Sequence, residues 1–140
     1  MSGQEDSLNA ASPARSRQRI LVADDDSVIQ MLVTAFLEKA GYVVAQADDG
    51  QQAVAAAARH PFDLILIDLN MPVMGGAEAA GLIRADEAPG RRTPIIALTA
   101  TTSEAERACC LAAGIDALLA KPLDRDRLLE TVTRFAGPPR

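Results

Sequence analysis

The sequence predicts an α/β domain, a doubly wound parallel sheet of five strands wrapped by five helices. Three observations predict it. From Arg19 onward, short apolar runs alternate with longer segments whose apolar residues recur at helical spacing, the signature of repeated βαβ units. One run, LILID at Leu64–Asp68, is apolar at every position but the last, which suits a strand covered on both faces. Several runs also end on residues suited to phosphate or metal chemistry, and open α/β sheets bind their ligands beyond the carboxyl ends of the strands.

The elements follow in order. RILVA, Arg19–Ala23, is the first strand. Ser27 is expected to cap a helix through Ala40, with Ile29, Leu32, Val33, Phe36 and Leu37 at helical spacing and Gly41 ending it. YVVAQA, Tyr42–Ala47, is the second strand, and an Ala-rich helix then runs from about Gln51 to His60, stopped by Pro61. The LILID strand leads into the loop NMPVMGG, whose Gly75 and Gly76 shape the turn into a helix over about Ala77–Ala85. PIIAL, Pro94–Leu98, is the fourth strand. Ser103 and Glu106 make the S-x-x-E pattern of a capping box, opening a helix to about Ala113 with Gly114 behind it. ALLA, Ala117–Ala120, is the last strand, and Asp124 caps a helix that buries Leu128, Val132 and Phe135. Residues 1–18 carry no periodicity and read as a mobile tail, residues 19–136 as the single domain, and residues 137–140 as a short C-terminal tail.

Composition narrows the function. Aromatics are 3% and Trp is absent, so the core must come from Ala, Val, Leu and Ile. A net charge of -5 argues against direct binding of nucleic acid, which calls for a basic patch. Cys109 and Cys110 are sequence neighbours and make no disulfide framework; a reducing compartment, with one thiol packed and one partly exposed, is the expectation. No apolar run approaches the roughly 20 residues a membrane span requires, and the N-terminus lacks the apolar middle of a signal peptide. A cytoplasmic location is expected. No GxGxxG or GxxxxGK[ST] pattern supports nucleotide binding, and His60 reads as a helix end rather than a ligand.

The chemistry gathers at the strand ends. The first strand is followed by Asp24, Asp25 and Asp26, the third ends at Asp68, the fourth meets Thr99, and the fifth runs into Lys121-Pro122. If the first and third strands are neighbours, Asp24, Asp25 and Asp68 converge on one pocket. Asp25 and Asp68 would then make a hard-oxygen site for Mg²⁺, which takes one or two carboxylates and welcomes phosphate oxygens. The plainer alternative for the aspartate row is a helix-capping loop, and Asp26 keeps that role.

Taken together, ILVADDD, LILIDLNMPVMGG, PIIALTA and AKPL, in this order from Arg19 to about Phe135, resemble the response-regulator receiver domain of two-component signalling. The resemblance implies a flavodoxin-like (βα)5 fold with strand order 2-1-3-4-5. It implies that Asp68 accepts a phosphoryl group from a phosphohistidine on a sensor histidine kinase or histidine phosphotransfer protein. Mg²⁺ would be held by Asp25, Asp68 and the backbone carbonyl of Asn70, with Asp24 acting mainly through a metal-bound water. Lys121 would pair with the phosphoryl oxygens, and Thr99 would swing inward to donate a hydrogen bond to them. Ala100 leaves the acceptor accessible, Asn70 and Thr101 modulate self-hydrolysis, and the bond before Pro122 is expected to be cis. The output would be binding to a downstream protein, with the face of the fourth and fifth helices, including Arg107, Asp126 and Arg134, as the docking or homodimer surface. No enzymatic turnover beyond self-phosphorylation and slow dephosphorylation is expected.

One position departs from the family. Three residues before the lysine, where the family often has Tyr or Phe, stands Leu118, which puts the usual aromatic–threonine coupling in question. A stand-alone receiver is the leading expectation, because the sequence stops just beyond the fifth helix. The alternatives are the receiver segment of a hybrid histidine kinase or a phosphorelay intermediate. From another class, a Mg²⁺-dependent aspartyl-phosphate phosphatase would want Asp-x-Asp, where this chain has Asp68-Leu69-Asn70. A receiver fold serving as a constitutive binding module is the third.

Overall fold

The computed structural model describes residues 17–100 and 103–139. The expected tail up to residue 16, and Thr101, lie outside the described residues. Strands β1 (Arg19–Ala23), β2 (Val43–Ala47), β3 (Leu64–Asp68), β4 (Ile95–Thr99) and β5 (Ala117–Ala120) alternate with helices α1 (Ser27–Ala40), α2 (Gly50–Arg59), α3 (Gly76–Asp86), α4 (Glu104–Ala113) and α5 (Arg125–Ala136). The strands form one parallel sheet in the order β2-β1-β3-β4-β5, as the resemblance implied.

Alternation along the strands divides the core into two layers. Leu21, Ile65, Ile67, Ile95 and Ala97 face α2, α3 and α4 through Ala53, Ala79, Ala80, Ile83 and Cys110. Their neighbours Ile20, Val22, Leu64, Leu66, Ile96 and Leu98 face α1 and α5 through Val33, Leu37, Leu128 and Val132. β3 and β4 are buried at every residue, which is why LILID shows no alternation of polarity. Burying each Leu, Ile or Val side chain stabilises by about 1.5–3 kcal/mol, so the two layers are the main support of the sheet.

The element ends differ from the expected ones for local reasons. Of the two residues offered for the start of α1, Asp26 is the cap, the role left to it in the aspartate row: its carboxylate accepts from the amides of Val28 (2.9 Å) and Ile29 (3.3 Å), and Ser27 is the first helical residue. A charged acceptor at a helix N-terminus also gains from the macrodipole. Of the expected inner face of α1, Val33 and Leu37 are buried and Ile29 and Phe36 pack against the core, but Leu32 is 47% exposed and Gln30 is buried in addition. Asp49 caps α2 and His60 follows it as an exposed C-cap. β4 begins after Pro94, which has no amide to give but accepts from Ile65 N at 2.9 Å, and it extends to Thr99. Tyr42 precedes β2 and is buried, its hydroxyl donating to Gly137 O at 2.8 Å. Gln18, assigned by sequence to the tail, is also buried, its amide donating to the carbonyls of Ala136 and Pro138. The folded body therefore takes in Gln18 and reaches past α5.

Candidate phosphoryl-acceptor site

Adjacent parallel strands deliver the acidic residues together. β1 pairs with β3 up to Ala23 against Ile67, so the residues that follow, Asp24 and Asp68, emerge side by side. Carboxylate oxygens of Asp24, Asp25 and Asp68 lie within 4.8 Å of one another. Asp24 is 1% exposed and Asp68 4%, whereas Asp25 faces solvent. Lys121 reaches in from beyond β5, its Nζ 3.4 Å from Asp68 Oδ1 and 3.5 Å from Asp24 Oδ2. Its amide extends the sheet ladder by donating to Thr99 O at 2.8 Å, and the Lys121–Pro122 bond is cis.

The hydrogen bonds leave this cluster incompletely satisfied. Asp24 Oδ1 accepts from Asp26 N at 2.8 Å, but buried Asp24 Oδ2 has no hydrogen-bond partner among the described residues. Asp68 Oδ1 accepts from Asn70 N at 3.2 Å. Burial pushes the Asp24 carboxyl above its ordinary value and the charge of Asp68 adds to the rise, while the Asp26 amide and the Lys121 ammonium pull against it. Three carboxylates facing one ammonium leave two negative charges uncompensated, the charge a divalent cation carries. A buried carboxylate oxygen that has the Lys121 ammonium at 3.5 Å but no hydrogen-bond partner among the described residues, in an all-oxygen donor set, fits a hard ion such as Mg²⁺.

Thr99, at the end of β4, is fully buried, and its hydroxyl donates to Glu106 Oε1 at 2.7 Å. It is thus tied to the first turn of α4. Ala100 beside it is exposed, as is Asn70. Leu118 lies on β5 opposite Ala97, partly buried against the layer shared with α2, α3 and α4.

The loop after Asp68 is shaped by close backbone approach. A Cβ at Gly76 would collide with the carbonyl of Asp68, and one at Gly50 with the carbonyl of Met74. These two glycines let the loop fold back beneath Asp68 and against α2. Val73 in the same loop has φ +70 and is 76% exposed.

The expected site residues Asp24, Asp25, Asp68 and Lys121 are brought together, with Asn70 and Thr99 adjoining. Sequence reasoning missed Gln30, whose buried amide donates to Ala47 O (2.7 Å) and Asp24 O (3.3 Å), bracing the loop that carries Asp24. A glutamine interrupting an apolar stripe was the available signal. It also read Glu106 only as a capping residue.

Features elsewhere stay apart from this chemistry. A depression lined by Val54, Phe62 and Ile83 with Arg59 and Glu87 at its rim sits where α2 and α3 end, away from the carboxylates. Arg107, Asp126 and Arg134 are exposed on α4 and α5. Cys109 is exposed and Cys110 buried; burial, then the charge of Glu106, pushes the Cys110 thiol up, which makes it less reactive. Among the described residues no helix is long and apolar enough to cross a membrane.

Comparison with known proteins agrees with this geometry. The family model for the response regulator receiver domain matches residues 20–133. The CAI-1 autoinducer sensor kinase/phosphatase CqsS of Vibrio cholerae is 39% identical over 122 residues, which are 87% of this chain and 18% of that protein. The chain spans less than a fifth of the length of the first curated relatives it matches. Among solved structures, the receiver domain of sensor histidine kinase PA1611 from Pseudomonas aeruginosa, with magnesium in its active-site cleft, is 43% identical at TM-score 0.79, covering 87% of this chain and 99% of that one. The receiver domain of Ssk1 in complex with the histidine phosphotransfer protein Ypd1, from Saccharomyces cerevisiae, is 28% identical at TM-score 0.79, covering 86% and 89%. Fold, converging carboxylates and family match lead to one conclusion: the chain belongs to the response regulator receiver domain family.

Proposed function

We propose that Asp68 of this receiver takes a phosphoryl group from a phosphohistidine on a sensor histidine kinase or histidine phosphotransfer protein, and that the phosphorylated form signals by binding a downstream protein. The observation that carries this reading is Asp68 itself, nearly buried at a strand end beside Lys121 and the buried carboxylate of Asp24. A carboxylate oxygen of Asp68 attacks phosphorus, the phosphorus–nitrogen bond to the donor imidazole breaks, and the imidazole leaves with that electron pair and takes up a proton. Lys121 steadies the phosphoryl oxygens as a point charge. Asp24, Asp25, Asp68 and the carbonyl of Asn70 would hold Mg²⁺, Asp24 through water, and the bound ion supplies neutralisation of charge on the transferring group.

Exposed Asn70 and Ala100 leave water a route to the phosphoryl group, so the switch resets itself by hydrolysis. The apolar residues Val28, Met31 and Leu32, exposed on α1 just past the acidic loop, offer the phosphodonor a docking face. Arg107, Asp126 and Arg134 serve the output or self-association surface. A second reading, as receiver of a hybrid kinase or as relay intermediate, is favoured by the sensor kinases among the relatives; return of phosphoryl from Asp68 to a phosphotransfer histidine would mark it.

The test is intact-mass measurement after incubation with Mg²⁺ and acetyl phosphate. A gain of one phosphoryl group that vanishes without metal and in Asp68→Asn is expected. Absence of the gain, with a kinase supplied as well, would leave a constitutive binding module.

A further inference from the structure

We propose that Glu106 is a positioning residue for the acceptor site: it competes with the phosphoryl group on Asp68 for the hydroxyl of Thr99, and so couples phosphorylation to the first turn of α4. The inference rests on Asp68 being the acceptor.

The geometry behind it is short and specific. Thr99 Oγ1 donates to Glu106 Oε1 at 2.7 Å, within the range of a charge-assisted bond. A hydroxyl has one proton to donate, so it serves one anionic acceptor at a time. Thr99 is fully buried, which removes bulk water as an alternative partner. Glu106 is firmly mounted, since its amide donates to the Ser103 cap at 3.2 Å and its charge lies in the first turn of α4. Two anions thus flank one donor: the carboxylate of Glu106 on the α4 side, and the group that forms on Asp68, at the end of the neighbouring strand.

When Thr99 turns to the phosphoryl oxygens, the half-buried Glu106 carboxylate loses that donor and meets new negative charge nearby. Both effects push the first turn of α4 away. The coupling is reciprocal: whatever weakens the Thr99–Glu106 bond favours phosphorylation, and phosphorylation loosens α4. This route runs from β4 directly to α4 and needs no aromatic group on β5. Leu118, with no polar atom to follow the threonine, is compatible with it.

The test compares wild type, Glu106→Ala, Glu106→Gln, Thr99→Ala and the double variant Thr99→Ala/Glu106→Ala. The steady-state phosphorylated fraction is read by intact mass across acetyl phosphate concentrations with Mg²⁺, and hydrogen exchange of α4 is followed in parallel. Glu106→Ala should reach half-maximal phosphorylation at on the order of fivefold less acetyl phosphate. Glu106→Gln, which keeps an acceptor oxygen without the charge, should fall between. Exchange in the first turn of α4 should rise on phosphorylation of wild type and be already high in Glu106→Ala. In the Thr99→Ala background, Glu106→Ala should give a clearly smaller shift, since only the charge repulsion is left to relieve. An equal shift in that background would mean Glu106 acts only through the helix, and would overturn the proposal. Should Glu106→Ala not fold, an unshifted Glu106→Gln overturns it likewise. Wild type that takes no phosphoryl group would instead bring down the receiver reading and this inference with it, a result distinct from phosphorylated wild type with indistinguishable variants.

Discussion

Single residues carry opposite kinds of local cost in this molecule. Val73 holds φ +70, a left-handed conformation that crowds a β-branched side chain against its own backbone, and its exposed isopropyl group recovers little by packing. Val73→Asn should therefore stabilise the protein by about 1 kcal/mol, seen as a rise of roughly 3–5 °C in Tm; an unchanged melt would show that the loop carries no such strain. Asp24 carries a cost tied to its chemistry, a carboxylate oxygen buried beside Asp68 with no hydrogen bond among the described residues. In metal-free protein, Asp24→Asn should gain about 1–3 kcal/mol in urea unfolding. Wild type should gain stability with added Mg²⁺ as binding to the native state dictates, and the variant should lose most of that response. Residues of this kind differ in how far the sequence discloses them. The aspartate row is visible because its members adjoin along the chain, whereas Gln30 and Glu106 draw their roles from partners supplied by other elements.

At the scale of elements, the connection between α3 and the end of α4 depends on Arg84. Its guanidinium donates to Gly114 O (2.9 Å), Thr93 O (2.6 Å), Glu87 (2.9 Å) and Asp116 (2.8 Å), with only 13% of the side chain exposed. Arg84→Met would strand those acceptors and should cost on the order of 3 kcal/mol, measured by urea unfolding. For Asp116, burial by itself would raise the carboxyl, but the Arg92 hydrogen bond, the Ile95 amide and the two guanidinium charges prevail and hold it below its ordinary 3.8. A lowered native value means the stabilisation is complete above about pH 4 and drains away as the pH falls through that value. Asp116→Asn should accordingly lower Tm at neutral pH and flatten its acid limb; an acid limb as steep as in wild type would remove Asp116 as its source. Element identities were legible because the strands end sharply: LILID became β3 without adjustment. Ends blurred where a side chain answered to a distant group, as Tyr42 does to Gly137 rather than to the β2 ladder.

For the molecule as a whole, alternation of strand and helix disclosed a parallel sheet but not its order. Nothing in the periodicity says that β1 sits between β2 and β3, and that order is what sets Asp24 beside Asp68. The order was legible only through the family's motifs. It divides the molecule into two poles. The carboxylates, Thr99 and Lys121 occupy the pole where strands end, while Gln18 and the carbonyls of Ala136 and Pro138 close on one another where β1 begins, about 16 Å away along a five-residue strand. That closure has a mechanical consequence. Gln18 and Pro138 form a common stem at the pole opposite the carboxylates. A domain fastened in this way is gripped at one end, like a lamp in its socket, and the strand ends that carry the carboxylates are the end opposite the grip.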